Sequence, residues 1–116
     1  MLFQQRDLIE LHSPSLLPDG NEKFHPFLII STIDVASQER SYLGVMMTSS
    51  SHTTKFSFPC PDSSFEGALK PNSHLQMHIV HMIRHENVKA WRNRMKKDDF
   101  EFFLEEFNSL ILKVDK

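Results

Sequence analysis

Phe24-His25-Pro26-Phe27-Leu28-Ile29-Ile30-Ser31 and Tyr42-Leu43-Gly44-Val45-Met46-Met47-Thr48-Ser49-Ser50 are the two stretches on which the fold turns. Both are near-continuous, β-favouring apolar runs, too short for independent helices, and they predict buried strands. Paired as a hairpin through the polar residues 32–41, the start of the first strand lies beside the end of the second. That pairing brings His25 and Thr48 to one edge, an imidazole and a hydroxyl in the place of a site.

Upstream, Asp7-Leu8-Ile9-Glu10-Leu11 alternates loosely between polar and apolar and reads as a first strand. Residues 12–23 read as a long loop in which Pro14, Pro18 and Gly20 supply turn geometry. Downstream, Thr53-Thr54-Lys55-Phe56-Ser57-Phe58 predicts a half-buried strand stopped by Pro59 and Pro61. Phe100, Phe103, Leu104, Phe107, Leu110 and Ile111 recur at helical spacing, and Asp98 with Glu101 resembles a capping box at the start of that helix. The expected class is α+β, mainly β: one small curled sheet and a closing amphipathic helix, a single domain over residues 1–116 without repeat or linker.

A chain of 116 residues can bury about two-thirds of its unfolded surface in one core. Cys60 has no second cysteine to bridge, no secretory leader is read, and no apolar run approaches the roughly 18 residues of a membrane span. A reducing cytoplasm and no membrane are the expectation. The formal charge of −2 argues against a general nucleic-acid coat, yet the charge is uneven. Arg84, Lys89, Arg92, Arg94, Lys96 and Lys97 face Glu86 alone, while the last nineteen residues are acidic. The basic run is either a solvated turn or a phosphate-binding strip.

His74, His78, His81 and His85 can be read in two ways. As a helix, their spacing stacks all four imidazoles on one face able to hold Zn²⁺, although no Cys or carboxylate partner stands at ligand spacing. As a strand, His74, Gln76 and His78 point to one side and Leu75, Met77, Ile79 and His81 to the other. Composition leaves both open.

The residues quoted resemble the MazF/PemK family of toxin endoribonucleases. His25-Pro26-Phe27-Leu28-Ile29-Ile30 is similar to the family's Arg-Pro strand opening, and Val45-Met46-Met47-Thr48-Ser49 to its aliphatic strand ending in Thr-Ser. Gln5-Arg6-Asp7-Leu8-Ile9 resembles the first strand without its Gly, residues 73–83 occupy the place of the last long strand, and the Phe stripe that of the terminal helix. The likeness spans nearly the whole chain, with the two central phrases its specific part. It implies a small SH3-like barrel closed by a helix, a homodimer, a single-stranded RNA groove at the dimer face, and an antitoxin whose disordered tail fills that groove. It also favours the strand over the helix for residues 74–85. The implied reaction needs neither metal nor cofactor: the 2′-hydroxyl attacks the phosphate and leaves a 2′,3′-cyclic end. The loop of residues 12–23 is expected to cover the groove.

Thr48 matches the family's catalytic Thr. The family's catalytic Arg is His25 here, and the Arg and acidic residue of some members' late strand fall near Gln76 and His78. An imidazole pair can supply base and acid for this chemistry, so His25 with His78 or His81 is one expectation, and Thr48 would donate to a non-bridging phosphate oxygen. Ser49, Ser50, Lys89, Arg92 and Arg94 are the candidate RNA contacts. Two alternatives accompany this reading: a binding module for RNA or protein that has lost turnover with the Arg, and a His-rich metal-binding protein.

Overall fold

In the computed structural model, which describes residues 1–17 and 19–116, the two apolar runs pair as antiparallel strands. They are β4 (Phe27–Ile29) and β5 (Ser41–Thr48), with Phe27 opposite Met46, Leu28 opposite Val45 and Ile29 opposite Gly44. The remaining elements are β1 (Asp7–Leu11), β2 (Ser15–Leu16), β3 (Glu22–Lys23), α1 (Ile33–Glu39), β6 (Ser57–Pro59), β7 (His74–Arg84), β8 (Val88–Arg94) and α2 (Lys97–Leu110). Six strands form one antiparallel sheet in the order β6-β7-β5-β4-β1-β8, and β2 and β3 form a small hairpin of their own.

The segments that follow the two end strands of the curled sheet are linked. Phe65, beyond β6, bridges to Met95, beyond β8, and Glu66 N–H to Arg94 C=O (2.8 Å) and Lys96 N–H to Ser64 C=O (2.8 Å) tie the segments together. Buried Asn93 strengthens this seam by accepting from Gly67 N–H at 2.8 Å and donating to the carbonyls of Gly67 and Ala68. The expected mainly-β, barrel-like sheet with a closing helix is therefore the architecture.

Alternation along β4 and β5 divides the core between the two faces of the sheet. Leu28, Val45 and Met47 join Leu75, Met77 and the α2 side chains Phe100, Phe103 and Phe107 on one face. The stripe reaches into the sheet through Phe103, whose ring meets Phe58 edge-on at 5.1 Å. Phe27, Ile29, Tyr42 and Met46 face the other side with Ile9, Ile83 and Ala36 of α1. Gly44 permits this close layering, because a Cβ there would lie 2.7 Å from Ile83 Cδ1 and 3.0 Å from Phe27 Cβ.

Several local expectations are corrected. The connection between β4 and β5 holds the helix α1, whose one buried residue, Ala36, leaves no apolar stripe to betray it. The strand expected over 53–58 is shorter and later, and Pro59 lies inside it, an allowed place because β6 is an edge strand. Asp98 does not cap α2: Lys96 holds the N-cap position without a side-chain bond, and Asp98 and Asp99 lie in the first turn, where their charge favours the helix dipole. The basic run is not one turn: Arg84 ends β7, Lys89, Arg92 and Arg94 lie on the strand β8, and Lys96 and Lys97 begin α2. In the loop of residues 12–23, Gly20 takes the left-handed conformation expected of it (φ 88°), while Pro18 lies outside the described residues.

Candidate active site

Three neighbouring strands place in one row His25, Thr48 and His74, the last read from the sequence as part of the histidine segment but not as a catalytic candidate. Met47 N–H donates to Pro26 C=O at 2.9 Å, so the β4–β5 pairing continues past β4 and brings His25 opposite Thr48. On the other flank Thr48 is the register partner of His74, which in turn faces Pro59 of β6. Alternation from Phe27, Met46 and Leu75 turns all three side chains to the face away from α2. Adjacent strands are about 4.8 Å apart, so the two imidazole-bearing backbones stand about 10 Å apart with the hydroxyl between them.

His25 is partly buried, and burial beside Lys23 pushes its imidazole below the ordinary value of 6.5, favouring the neutral ring. Its Nδ1 is shut off from solvent and makes no hydrogen bond of good geometry, the Lys23 backbone being the polar group beside the ring. Thr48 Oγ1 accepts from Ser50 N–H at 3.3 Å, a local turn that holds the hydroxyl in place. His74 is 3% exposed; its Nδ1 lies 3.1 Å from the Asn72 carbonyl and its Nε2 is unpartnered. The segments 23–31, 41–59 and 74–85 that build this edge contain no carboxylate, whereas they carry Lys23, Lys55 and His52 besides the imidazoles of the row. Such an edge suits an anion.

The other sequence candidates divide. Ser49 and Ser50 are exposed directly after Thr48, and Ser50 Oγ accepts from His52 N–H at 3.1 Å. Gln76 is half-buried on the same face as the row, opposite Met46 and Ser57. Between Gln76 and Val80 the register with β5 shifts, leaving Met77, His78 and Ile79 as a bulge. His78 is exposed, its ring 5.5 Å from that of Phe56. His81 sits opposite Gly44 with its ring 5.0 Å from Phe27, four residues along the strand from the row, or about 13 Å. His78 and His81 line, with Leu16 and Leu17, an open hollow of about 390 Å³ between the β2–β3 hairpin and the bulge. The loop of residues 12–23 thus borders this face. A larger hollow, about 600 Å³, lies around Arg40, Met82 and Arg84 at the far end of β5, away from the row.

The basic residues of β8 are not in the row itself: β1 stands between them and its His25 end. Lys89 and Arg92 occupy the two register shifts against β1 and both reach Glu10, at 4.0 and 3.3 Å. Arg94 is held inward by buried Asp7 at 2.9 Å, an acceptor shared with Trp91 Nε1–H at 3.1 Å. Only Lys89 and Arg92 of these present their charge at the surface.

Because residues 74–84 are a strand, the helical stacking of four imidazoles does not arise. His85 lies beyond it, with Nδ1 2.7 Å from Tyr42 Oη. Among the described residues no cluster of three or more His, Cys, Asp or Glu side chains is disposed around a common point. Cys60 is buried and its thiol is pushed up to about 12 by burial, which makes it inert. No helix is long and apolar enough to cross a membrane among the described residues.

No family model matches the sequence, and no curated protein matches it. Solved structures do match in fold. One is an endoribonuclease in complex with its cognate antitoxin from a Mycobacterial species, 9% identical, with a TM-score of 0.71 over 98% of this chain and 99% of that one. A MazF from Deinococcus radiodurans is 12% identical, with a TM-score of 0.72 over 97% and 99% of the two chains. The Mycobacterium tuberculosis toxin MazF-mt6 is 15% identical, with a TM-score of 0.63 over 86% and 93%. At such identities the likeness is one of fold: nearly the whole chain adopts the fold of MazF toxins.

Proposed function

We propose that this chain is a toxin-type endoribonuclease that cleaves single-stranded RNA through the 2′-hydroxyl. The observation that carries the reading is the row His25–Thr48–His74, set on strands that carry no carboxylate and containing two buried imidazole nitrogens without a hydrogen bond of good geometry. A fold shared with MazF structures supports it. Neutral His25 takes the 2′-hydroxyl proton as that oxygen attacks phosphorus, and the Thr48 hydroxyl donates to the departing O5′, where charge builds, rather than to a non-bridging oxygen. Loss of the Arg expected at residue 25 exchanges a fixed charge for a titrating one. These steps draw on protein side chains alone, without a metal.

The partners proposed are single-stranded RNA and an antitoxin whose extended tail covers the same edge; one of the fold relatives is an endoribonuclease solved with its antitoxin. A homodimer belongs to the reading too. Both faces of β4 are covered by the chain itself, so an uncovered sheet face does not call for a second copy. The surface that remains is Leu43, Val80 and Met82, neighbouring exposed apolar residues on β5 and β7. The test is to incubate purified protein with single-stranded RNA and to identify the new ends. A 2′,3′-cyclic phosphate upstream and a 5′-hydroxyl downstream are expected. RNA binding without any cut, under conditions in which the protein is folded, favours the binding module that the missing Arg allows.

A further inference from the structure

The buried side-chain nitrogens left without a hydrogen bond of good geometry, among the described residues, are His25 Nδ1 and His74 Nε2, and they flank Thr48. His25 is already assigned a role above. His74 has none, although it is the more deeply buried of the two. The Asn72 carbonyl beside its Nδ1, at 3.1 Å, can only accept, so Nδ1 carries a hydrogen. Any second hydrogen on the ring therefore sits on Nε2. Thr48 Oγ1 uses one lone pair for Ser50 N–H and retains the other, along with its own hydrogen. Directly opposed residues on one face of an antiparallel pair have Cβ atoms about 4.5–5.5 Å apart, within reach of a bond from Nε2 to Oγ1 after a small side-chain adjustment. Catalytic hydrogen bonds are commonly loose before substrate binds and tighten with it.

We propose that His74 is the positioning residue of Thr48: from Nε2 it donates to Thr48 Oγ1, which directs the threonine hydrogen outward to the scissile phosphodiester and then resupplies it. The proposal rests on the endoribonuclease reading and names its second proton source. In the step, O2′ bonds to phosphorus and the P–O5′ bond breaks. The 2′-hydroxyl proton goes to His25, O5′ takes the Thr48 hydrogen, and Oγ1 takes the Nε2 hydrogen of His74, which is left neutral.

With Ser50 N–H and Nε2–H both pointing at Oγ1, the hydroxyl hydrogen has one direction left, toward substrate. A neutral His74 inverts this, because Nε2 then accepts and turns the hydroxyl inward. No carboxylate lies on β5, β6, β7 or the connection 49–56 to hold the proton on His74; the nearby titrating groups are His25, His52, Lys55 and His78. Asp99 of α2 lies across the sheet with Ser64. The arriving phosphate is thus the anion that supports the imidazolium.

The experiment compares wild type, His74→Ala, His74→Gln, Thr48→Ala and the Thr48→Ala/His74→Ala double variant on two RNA oligonucleotides. One is all-oxygen. The other carries sulfur in place of the leaving 5′-oxygen at the mapped cut, and a thiolate departs without a proton. His74→Ala should lose about 10²-fold on the oxygen substrate and less than about tenfold on the sulfur one. It should also lose the alkaline fall of the wild-type rate profile, and add little to Thr48→Ala. Equal losses on both substrates in His74→Ala and in the folded His74→Gln protein, with an unchanged profile, overturn the proposal and leave the endoribonuclease reading standing. A wild type that cuts neither substrate overturns the endoribonuclease reading, and the proposal with it.

Discussion

At the scale of single residues, the proposed chemistry depends on an imidazole where the family resemblance expects an Arg. Burial lowers the titration of His25 from 6.5, so its neutral, proton-accepting form persists into mildly acidic solution. The acid limb of the cleavage rate should therefore fall below pH 6.5, and a limb centred above 7 in the rate profile contradicts His25 as the base. His25→Ala should cost about 10²–10⁴-fold in rate and Thr48→Ala about 10²–10³-fold, with thermal midpoints near wild type because both sit at a strand edge. Unchanged rates in both variants remove the site. His85 is also lowered, by burial first and then by Arg40 and the N-terminus, and its Nδ1 receives the Tyr42 hydroxyl, which itself accepts Phe3 N–H at 3.1 Å. For a histidine whose folded value is depressed, stability is fully present above 6.5 and is lost as pH falls toward the folded value. The thermal midpoint should thus drop between pH 7.5 and 5, and a flat profile speaks against neutral His25 and His85 in the folded protein. Gly44→Ala, whose new methyl meets Ile83 and Phe27, should destabilise by about 1–3 kcal/mol in denaturant titrations.

At the scale of elements, β8 separates a structural cation from an exposed one. Arg94→Ala leaves the buried Asp7 carboxylate short of a charged partner and should cost about 2–3 kcal/mol, below the full price of a buried pair because Arg94 is partly exposed. Arg92→Ala should stay within about 0.5 kcal/mol and, if the basic strip touches RNA, weaken binding instead. Chemical denaturation and a filter-binding isotherm on the two variants check this together; equal stability losses contradict the distinction. The same strand illustrates what sequence could convey. β4, β5 and α2 were legible because Phe27-Leu28-Ile29, Val45-Met46-Met47 and the Phe100–Phe103–Phe107 stripe bury continuous or periodic apolar surface. β8 was not, because its shifts at Lys89 and Arg92 break alternation and leave Trp91 and Arg92 both exposed. His25 and Thr48 were legible as a pair because one hairpin joins them. His74 was not, since its place beside Thr48 depends on a register between segments 26 residues apart and on a bulge that period-2 reading of β7 cannot see.

At the scale of the whole molecule, the segments that follow β6 and β8 are tied by the Phe65–Met95 bridge, the two faces of the sheet carry separate cores, and the row of His25, Thr48 and His74 lies on the face away from α2. The apolar patch of Leu43, Val80 and Met82 should be covered by a second copy, which gives a dimer mass in sedimentation equilibrium at micromolar concentration. Met82→Glu should shift that mass toward the monomer, and a wild type that is monomeric at these concentrations contradicts the dimer. The central claim is that RNA is cut by its own 2′-hydroxyl at this row, and one measurement addresses it most directly. Two end-labelled oligonucleotides of the same sequence are compared, one all-ribose and one with a single 2′-deoxyribose on the 5′ side of the mapped cut. The account predicts cleavage of the first to a 2′,3′-cyclic phosphate and no cleavage of the second at that bond; equal cleavage of both contradicts it.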